Sequence, residues 1–154
     1  TAQIMPRKRK SWWEKLEDSK DLPKIIKPKG KGALHLGDRM LVPAPLQVDT
    51  QMKKVRMGKV MTIAQMREKL TKENNATSTC PLCSGIFAWV SSHAAQEQED
   101  EGRKRITPWW RTVKAKGELN PKYPGGMEEQ AKRLRKEGHK IIKRGKRWFV
   151  EGVN

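Results

Sequence analysis

The sequence is poor in the side chains that build metal and redox centres, with two cysteines and three histidines among 154 residues. Cys80 and Cys83 have the spacing of half a zinc knuckle, but a tetrahedral zinc site needs four ligands. The candidates that remain are His35, His93 and His139, and none is paired at a supporting interval. A redox Cys-x-x-Cys pair is an alternative, because Cys83 would lie near a helix N-terminus. No βαβ pattern surrounds it, so we expect two reduced thiols at the start of a buried helix, with no metal and no cofactor.

Long apolar runs are also missing. No run approaches the ~20 residues of a membrane-spanning helix. The basic N-terminus is not followed by the apolar segment of a secretory signal. These absences predict a cytoplasmic protein without membrane contact, associated with the nucleoid in a bacterial cell.

Acidic residues are scarce relative to basic ones, at 17 against 34, which gives a formal net charge of +17. Residues 103–154 hold 16 of the basic and 5 of the acidic residues, whereas residues 41–102 hold seven of each. Such an excess predicts a polyanionic partner, with DNA or RNA favoured over a membrane surface. The predicted phosphate contacts are Arg7, Lys8, Arg9, Lys10, Arg103, Lys104, Arg105, Lys114 and Lys116. The cluster at residues 7–10 remains open between a phosphate-binding arm and a solvated tail.

The order of predicted elements indicates an α+β fold. Residues 1–39 are expected to form a basic, partly irregular N-terminal arm with one short helix that begins after Ser11. Residues 40–154 are expected to form a domain in which Thr62 caps the second helix and Pro81 begins the third. The predicted helices cover about ten residues after Pro45, then residues 63–72, 81–100 and 126–136. A C-terminal β-hairpin at residues 140–150 follows them. The sequence leaves two roles open for its basic side chains, which are contact with phosphates and protection of a strand edge from pairing. Two helices joined by a turn, a third helix and a hairpin are typical of a winged helix-turn-helix.

The segment from residue 106 to residue 126 is the most informative stretch of the chain. Pro108 precedes two adjacent tryptophans, Trp109 and Trp110. Two neighbouring aromatic side chains on extended chain point in different directions, so we expect one to pack inward and the other to face a groove. The segment closes on Tyr123 and a glycine pair immediately before a helix.

This segment resembles the active loop of the alkylguanine-DNA alkyltransferase family, in particular its alkyltransferase-like branch. In that family, Pro-Cys-His-Arg is followed by a short hairpin, a Tyr-x-Gly-Gly turn and a helix that ends in Glu-Gly. The corresponding residues here are Pro108, Trp109, Trp110, Arg111, Tyr123, Gly125, Gly126, Glu137 and Gly138. The similarity extends over about 80 residues. It implies a winged-helix DNA-binding fold and a role in marking alkylated DNA for excision repair.

The chain departs from the family at the residues that carry its chemistry. Trp109 occupies the position of the alkyl-accepting cysteine, and an indole has no thiolate to attack an alkyl carbon. The family's lesion-binding tyrosine falls on Ile63. Its nucleotide-replacing arginine falls near Pro81 or Leu82, and without it the cost of unstacking a base must be met by other contacts. The sequence therefore predicts a binding site without a nucleophile.

The resemblance implies a base-binding pocket formed by Pro108, Trp109, Trp110, Arg111, Tyr123, Gly125 and Gly126. Trp109 would either stack on an extruded base or fill the volume left by the lost chemistry. Glu137 matches a buried family glutamate and is expected to be structural, for instance paired with Arg111. The third helix is expected to be the recognition helix, with groove-facing residues Ser84, Gly85 and Ser91.

We therefore expect a monomeric, non-enzymatic protein that binds double-stranded DNA, including alkylated DNA, together with repair proteins as partners. One alternative is a general nucleic-acid-binding winged-helix protein without lesion recognition. A second is an active transferase that uses Cys80 or Cys83, although neither has an activating neighbour in the sequence.

Overall fold

The computed structural model describes residues 11–30 and 32–153. Its five helices are α1 (Trp12–Glu17), α2 (Pro45–Lys53), α3 (Ile63–Glu73), α4 (Pro81–Asp100) and α5 (Gly126–Lys136). Its seven strands are β1 (Lys24–Ile26), β2 (Met40–Val42), β3 (Met61–Thr62), β4 (Ser78–Thr79), β5 (Thr112–Val113), β6 (Ile141–Arg144) and β7 (Arg147–Val150). Short 3-10 turns cover Leu34–Leu36, Trp109–Arg111 and Ala115–Gly117. The predicted α+β class is confirmed, while the winged helix-turn-helix assignment stays a prediction.

Local sequence explains where the helices begin. The Thr62 hydroxyl accepts a hydrogen bond from the Gln65 backbone N–H, and the Gln65 side chain accepts one from the Thr62 N–H, which is a capping box at the start of α3. At the start of α1, the Ser11 hydroxyl accepts a hydrogen bond from the Glu14 N–H. Proline begins both α2 and α4, where its missing N–H leaves no bond unmade.

The strands form three small sheets. In the first, β2 lies between β1, which is antiparallel to it, and β4, which is parallel to it. β3 pairs in parallel with β5, and β6 pairs with β7 as an antiparallel hairpin. The parallel β3–β5 pair joins the start of α3 to the segment that follows Trp109. It thereby fixes that segment against the helical core.

The main hydrophobic core lies between α2, α3 and α4. It contains Leu41, Val48, Met52, Val55, Met61, Met66, Leu70, Ala88, Ala95, Trp109 and Tyr123. A second cluster holds α5 and the hairpin together through Val113, Leu119, Ala131, Leu134 and Val150. Helix α4 contributes Ala88 and Ala95 to the first of these clusters. It contributes Val90 and Ala94 to a third cluster, which includes Leu16 of α1.

The described part of the predicted N-terminal arm packs on the remainder of the chain. Leu16 is 1% exposed and lies against Val90 and Ala94 of α4. The ring of Trp12 lies edge-on to Trp89 at 4.8 Å between centroids. Strand β1 adds an outer strand to β2. Residues 1–10, which include the predicted phosphate contacts Arg7, Lys8, Arg9 and Lys10, lie outside the described residues.

One buried carboxylate connects α2, α4 and the loop before Trp109. Asp49 is 2% exposed and accepts hydrogen bonds from the Ser91 hydroxyl at 2.6 Å and the Thr107 hydroxyl at 2.8 Å. The ammonium of Lys53, whose side chain is 55% exposed, lies 3.1 Å from the second carboxylate oxygen. The two buried hydroxyls depend on Asp49 for a partner. This residue therefore holds α2, α4 and the loop before Trp109 together.

We predict that Asp49→Ala lowers the free energy of unfolding by about 3 kcal/mol, since it leaves two buried hydroxyls without their acceptor. Lys53→Ala keeps both hydroxyl bonds to Asp49 and removes a cation that is 55% exposed, so it should cost less, about 1–2 kcal/mol. Urea unfolding of both variants measures the difference. Equal costs for the two variants would contradict the assigned role of Asp49.

Candidate nucleic-acid interface

Trp109 is part of the core. It begins the 3-10 turn after Pro108, and its side chain is 0% exposed. Its ring meets Trp110 and Tyr123 edge-on, with 5.7 Å between centroids in each case. Among the described residues, its buried Nε1–H has no hydrogen-bond partner. The indole is therefore a core side chain in this conformation, and stacking on a base would require this core to open.

The other aromatic and glycine residues of the expected pocket hold the same turn in place. Tyr123 is 3% exposed, and burial raises the pKa of its hydroxyl. Gly125 has φ +75°, and a Cβ there would lie 2.5 Å from the Cβ of Glu129, so only glycine fits before α5. Gly126 also has a positive φ, +71°. These contacts give Tyr123, Gly125 and Gly126 a structural role in this conformation.

Arg111 and Glu137 form an ion pair that attaches the turn to the end of α5. The Arg111 Nη2 lies 2.7 Å from Glu137 Oε2, and the side chains are 12% and 8% exposed. Arg111 also donates to the Val55 carbonyl at 2.7 Å, and the Trp110 Nε1–H donates to Glu137 at 3.0 Å. Burial opposes ionisation of Glu137, but the hydrogen bonds from Arg111 and Trp110 and the charge of Arg111 outweigh it, so the pKa of Glu137 lies below its ordinary value.

The expectation that Ser84 and Ser91 face a groove was wrong. Both side chains are 0% exposed. Ser84 donates to the Cys80 carbonyl at 2.8 Å, and Ser91 donates to Asp49. The reason is helical spacing, since residues 84 and 91 share one side of α4 with the buried Ala88 and Ala95. Gly85 is half-exposed.

The outward surface of the N-terminal half of α4 is apolar. Leu82 is 73% exposed and Ile86 is 45% exposed. They form one wall of a groove of about 580 Å³, and the loop before α5 forms the other. The groove is lined by Pro81, Leu82, Gly85, Ile86, Trp89, Lys114, Asn120, Pro121 and Lys122.

The groove places an apolar floor beside two cations, Lys114 and Lys122. The His93 ring on α4 contacts the Lys122 carbonyl through Nε2 at 2.9 Å, so the two walls are joined. Sequence reasoning missed most of this groove. The available signal was the i, i+4 spacing of Leu82 and Ile86, on a different side of the helix from the small residues of the buried face.

The two cysteines are joined, contrary to the expectation of reduced thiols. Cys80 and Cys83 form a disulfide across the first turn of α4, with 5.4 Å between Cα atoms, which lies in the range that a disulfide spans. The Cys80 sulfur also accepts from the Cys83 N–H at 3.2 Å. The N-cap position and the third residue of the helix face each other, which brings the sulfurs together. Within residues 11–30 and 32–153, no cluster of three or more His, Cys, Asp or Glu side chains could hold a metal ion.

The remaining predicted phosphate contacts are exposed. Arg103, Lys104 and Arg105 follow the end of α4, while Lys114 and Lys116 flank the short 3-10 turn near the groove. Lys114 lies 4.0 Å from Glu118, at the limit of an ion pair. In the part of the chain described, no ion pair engages the other four.

Comparison with known proteins finds a similarity in structure and no match by sequence. No protein-family model matches the chain, and no curated protein matches it. A solved structure that it resembles is that of S. pombe Atl1 in complex with damaged DNA containing O6-carboxymethylguanine. The identity is 17%, the TM-score is 0.49, and the match covers 71% of this chain and 87% of the other.

A likeness at this identity and TM-score does not extend to individual residues of the groove. A search of the described helices finds none with the length and hydropathy needed to cross a membrane.

We predict that Glu137→Gln destabilises the protein by about 3 kcal/mol at neutral pH, because a nearly buried charge on Arg111 then lacks its partner. The pKa of Glu137 is lowered on folding, so its contribution is present above the ordinary carboxyl pKa of about 4.3 and is lost as pH falls through the lowered value. Unfolding measured from neutral to acid pH should show the two proteins converging at low pH. Glu73→Gln is the control, since its partner Lys54 is 58% exposed. A pH-independent gap would contradict the assignment.

Proposed function

We propose that the protein is a non-enzymatic DNA-binding protein of the alkyltransferase-like type, which uses the groove beside α4 to contact a modified or extruded base. The observation that carries this proposal is an exposed apolar helix face with cations at its edge, on a chain of net charge +17. A charge excess of this size supports attraction to phosphates. An apolar wall supports contact with a base rather than with backbone alone.

The groove replaces the expected pocket as the candidate base site. Trp109 and Tyr123 are buried, whereas Leu82 and Ile86 are open to a ligand without movement of the core. Lys114 and Lys122 would contact the phosphates on either side of a base held there. Arg103, Lys104, Arg105 and Lys116 would extend the phosphate contacts along the surface.

The same geometry supports binding without catalysis. The position of the family's acceptor cysteine holds a buried indole, which has no nucleophilic atom. Cys80 and Cys83 are joined to each other, and alkyl acceptance requires a free thiolate. The rival transferase is therefore tested directly: the mass of the protein after incubation with alkylated DNA should be unchanged.

We expect wild-type protein to bind duplex DNA with an affinity that falls steeply as salt is added. A plot of the logarithm of the binding constant against the logarithm of the salt concentration should fall by about 0.9 for each phosphate contacted. A duplex with one O6-alkylguanine should bind about tenfold more tightly than the unmodified duplex, which is the scale of one stacked base. Fluorescence anisotropy across a salt series measures both quantities. Equal affinities for the two duplexes would favour the general nucleic-acid-binding alternative. No binding at all at low salt would reject both.

A single added charge tests whether the groove is the binding surface. Leu82→Glu should weaken duplex binding by about tenfold or more, because the added carboxylate repels phosphate and the apolar contact is lost. Leu34→Glu is the matched control: Leu34 is 97% exposed, and the change in net charge is the same. If both variants lose affinity equally, net charge alone governs binding and the groove has no special role.

A further inference from the structure

The C-terminal hairpin presents a second surface that does not belong to the groove. Ile142 lies opposite Phe149 in the strand pairing, and Arg144 lies opposite Arg147. Side chains alternate along a strand, so these four residues share one face. The other face packs on the second hydrophobic cluster through Ile141, Trp148 and Val150.

This outer face forms one wall of an open cleft of about 640 Å³. Lys116 and residues 150–153 line the rest of it. Ile142 and Phe149 are each half-buried, so part of the aromatic ring remains accessible. The cleft thus offers an apolar floor with an aromatic ring, whereas the groove floor at α4 is largely aliphatic.

Two guanidinium groups lie over that ring, so a base that stacks there must take the place of one of them. The Arg144 and Arg147 guanidinium carbons lie 5.8 Å and 5.3 Å from the centroid of Phe149. Arg147 donates two hydrogen bonds to Glu118, at 3.0 Å and 2.9 Å, which fixes its orientation. In the described residues, no ion pair engages Arg144 or Lys116, and Glu151 is the acidic residue that lines the cleft. The lining therefore keeps a positive excess.

We propose that this cleft binds single-stranded nucleic acid, with an unpaired base stacked on Phe149 and the adjoining phosphates held by Arg144 and Lys116. An aromatic ring within a cationic groove is the combination that proteins use for single strands. The bases of a duplex are stacked on each other and cannot offer a free face to Phe149. Charge complementarity and the ring of Phe149 in the lining of the cleft therefore favour an unpaired nucleotide.

The cleft and the groove adjoin the same short segment of chain. Lys114 lines the groove and Lys116 lines the cleft. Because one residue lies between them in the chain, their Cα atoms are no more than about 7 Å apart. A strand that leaves a duplex at the groove can therefore reach the hairpin. This inference goes beyond duplex binding, and the two are tested with separate ligands.

The test compares variants at one position. Phe149→Leu keeps an apolar side chain without a ring and should lower affinity for a short labelled oligothymidylate by about tenfold, while affinity for a blunt duplex is unchanged. Phe149→Tyr keeps the ring and should bind oligothymidylate like wild type. Ile142→Ala, on the same face directly opposite, should have little effect. Urea unfolding of each variant establishes that it is folded.

Several outcomes would overturn the proposal. If Phe149→Leu is folded yet binds oligothymidylate as tightly as wild type, the ring is not part of the contact. The same holds if Ile142→Ala loses as much affinity as Phe149→Leu. Duplex binding without oligothymidylate binding rejects this inference and leaves the proposed function standing. Oligothymidylate binding that depends on Phe149, without duplex binding, does the reverse.

Discussion

The buried indole of Trp109 is the constraint on which the rest of the site depends. It lies where three segments meet: α4, the 3-10 turn and the loop that leads to α5. An indole is among the largest side chains that a core can hold, and removal of one from a core typically costs 3–5 kcal/mol. The conformation of the turn is therefore set by packing rather than by a catalytic hydrogen-bond network.

The polar groups around the turn have correspondingly structural partners. Glu137 accepts from both Arg111 and Trp110, and Arg111 also reaches the Val55 carbonyl. These bonds use the carboxylate that would otherwise be available to orient a proton-transfer partner. With Trp109 in the core and Glu137 paired to Arg111, the side chains of the turn are held in place.

The sequence predicted the helices well because their ends carry explicit signals: Ser11 and Thr62 as caps, and Pro45 and Pro81 in first turns. Strands β1, β2, β3 and β4 were missed because each is only two or three residues long, too short for an alternating pattern. The faces of α4 were misassigned for a different reason. The buried side of its N-terminal half holds Ser84, Ser91 and Ala88, and Ser91 donates to Asp49, while the exposed side is apolar. The rule that polar side chains face outward therefore selected the wrong side of the helix. The state of the cysteines depends on their side-chain geometry, which spacing alone leaves open.

The acidic end of α4 limits which part of the helix could attract a polyanion. Glu97 accepts hydrogen bonds from the backbone N–H groups of Trp12 and Trp13, and Glu99 lies 2.6 Å from the guanidinium of Arg133. These carboxylates attach α1 and α5 to the C-terminal half of α4, which is therefore covered by protein and poor in positive charge. Its N-terminal half carries no acidic residue from Pro81 to His93 and borders Lys114 and Lys122. Phosphates are attracted to one half of the helix and repelled from the other, so a duplex would lie across the groove rather than along the full length of α4.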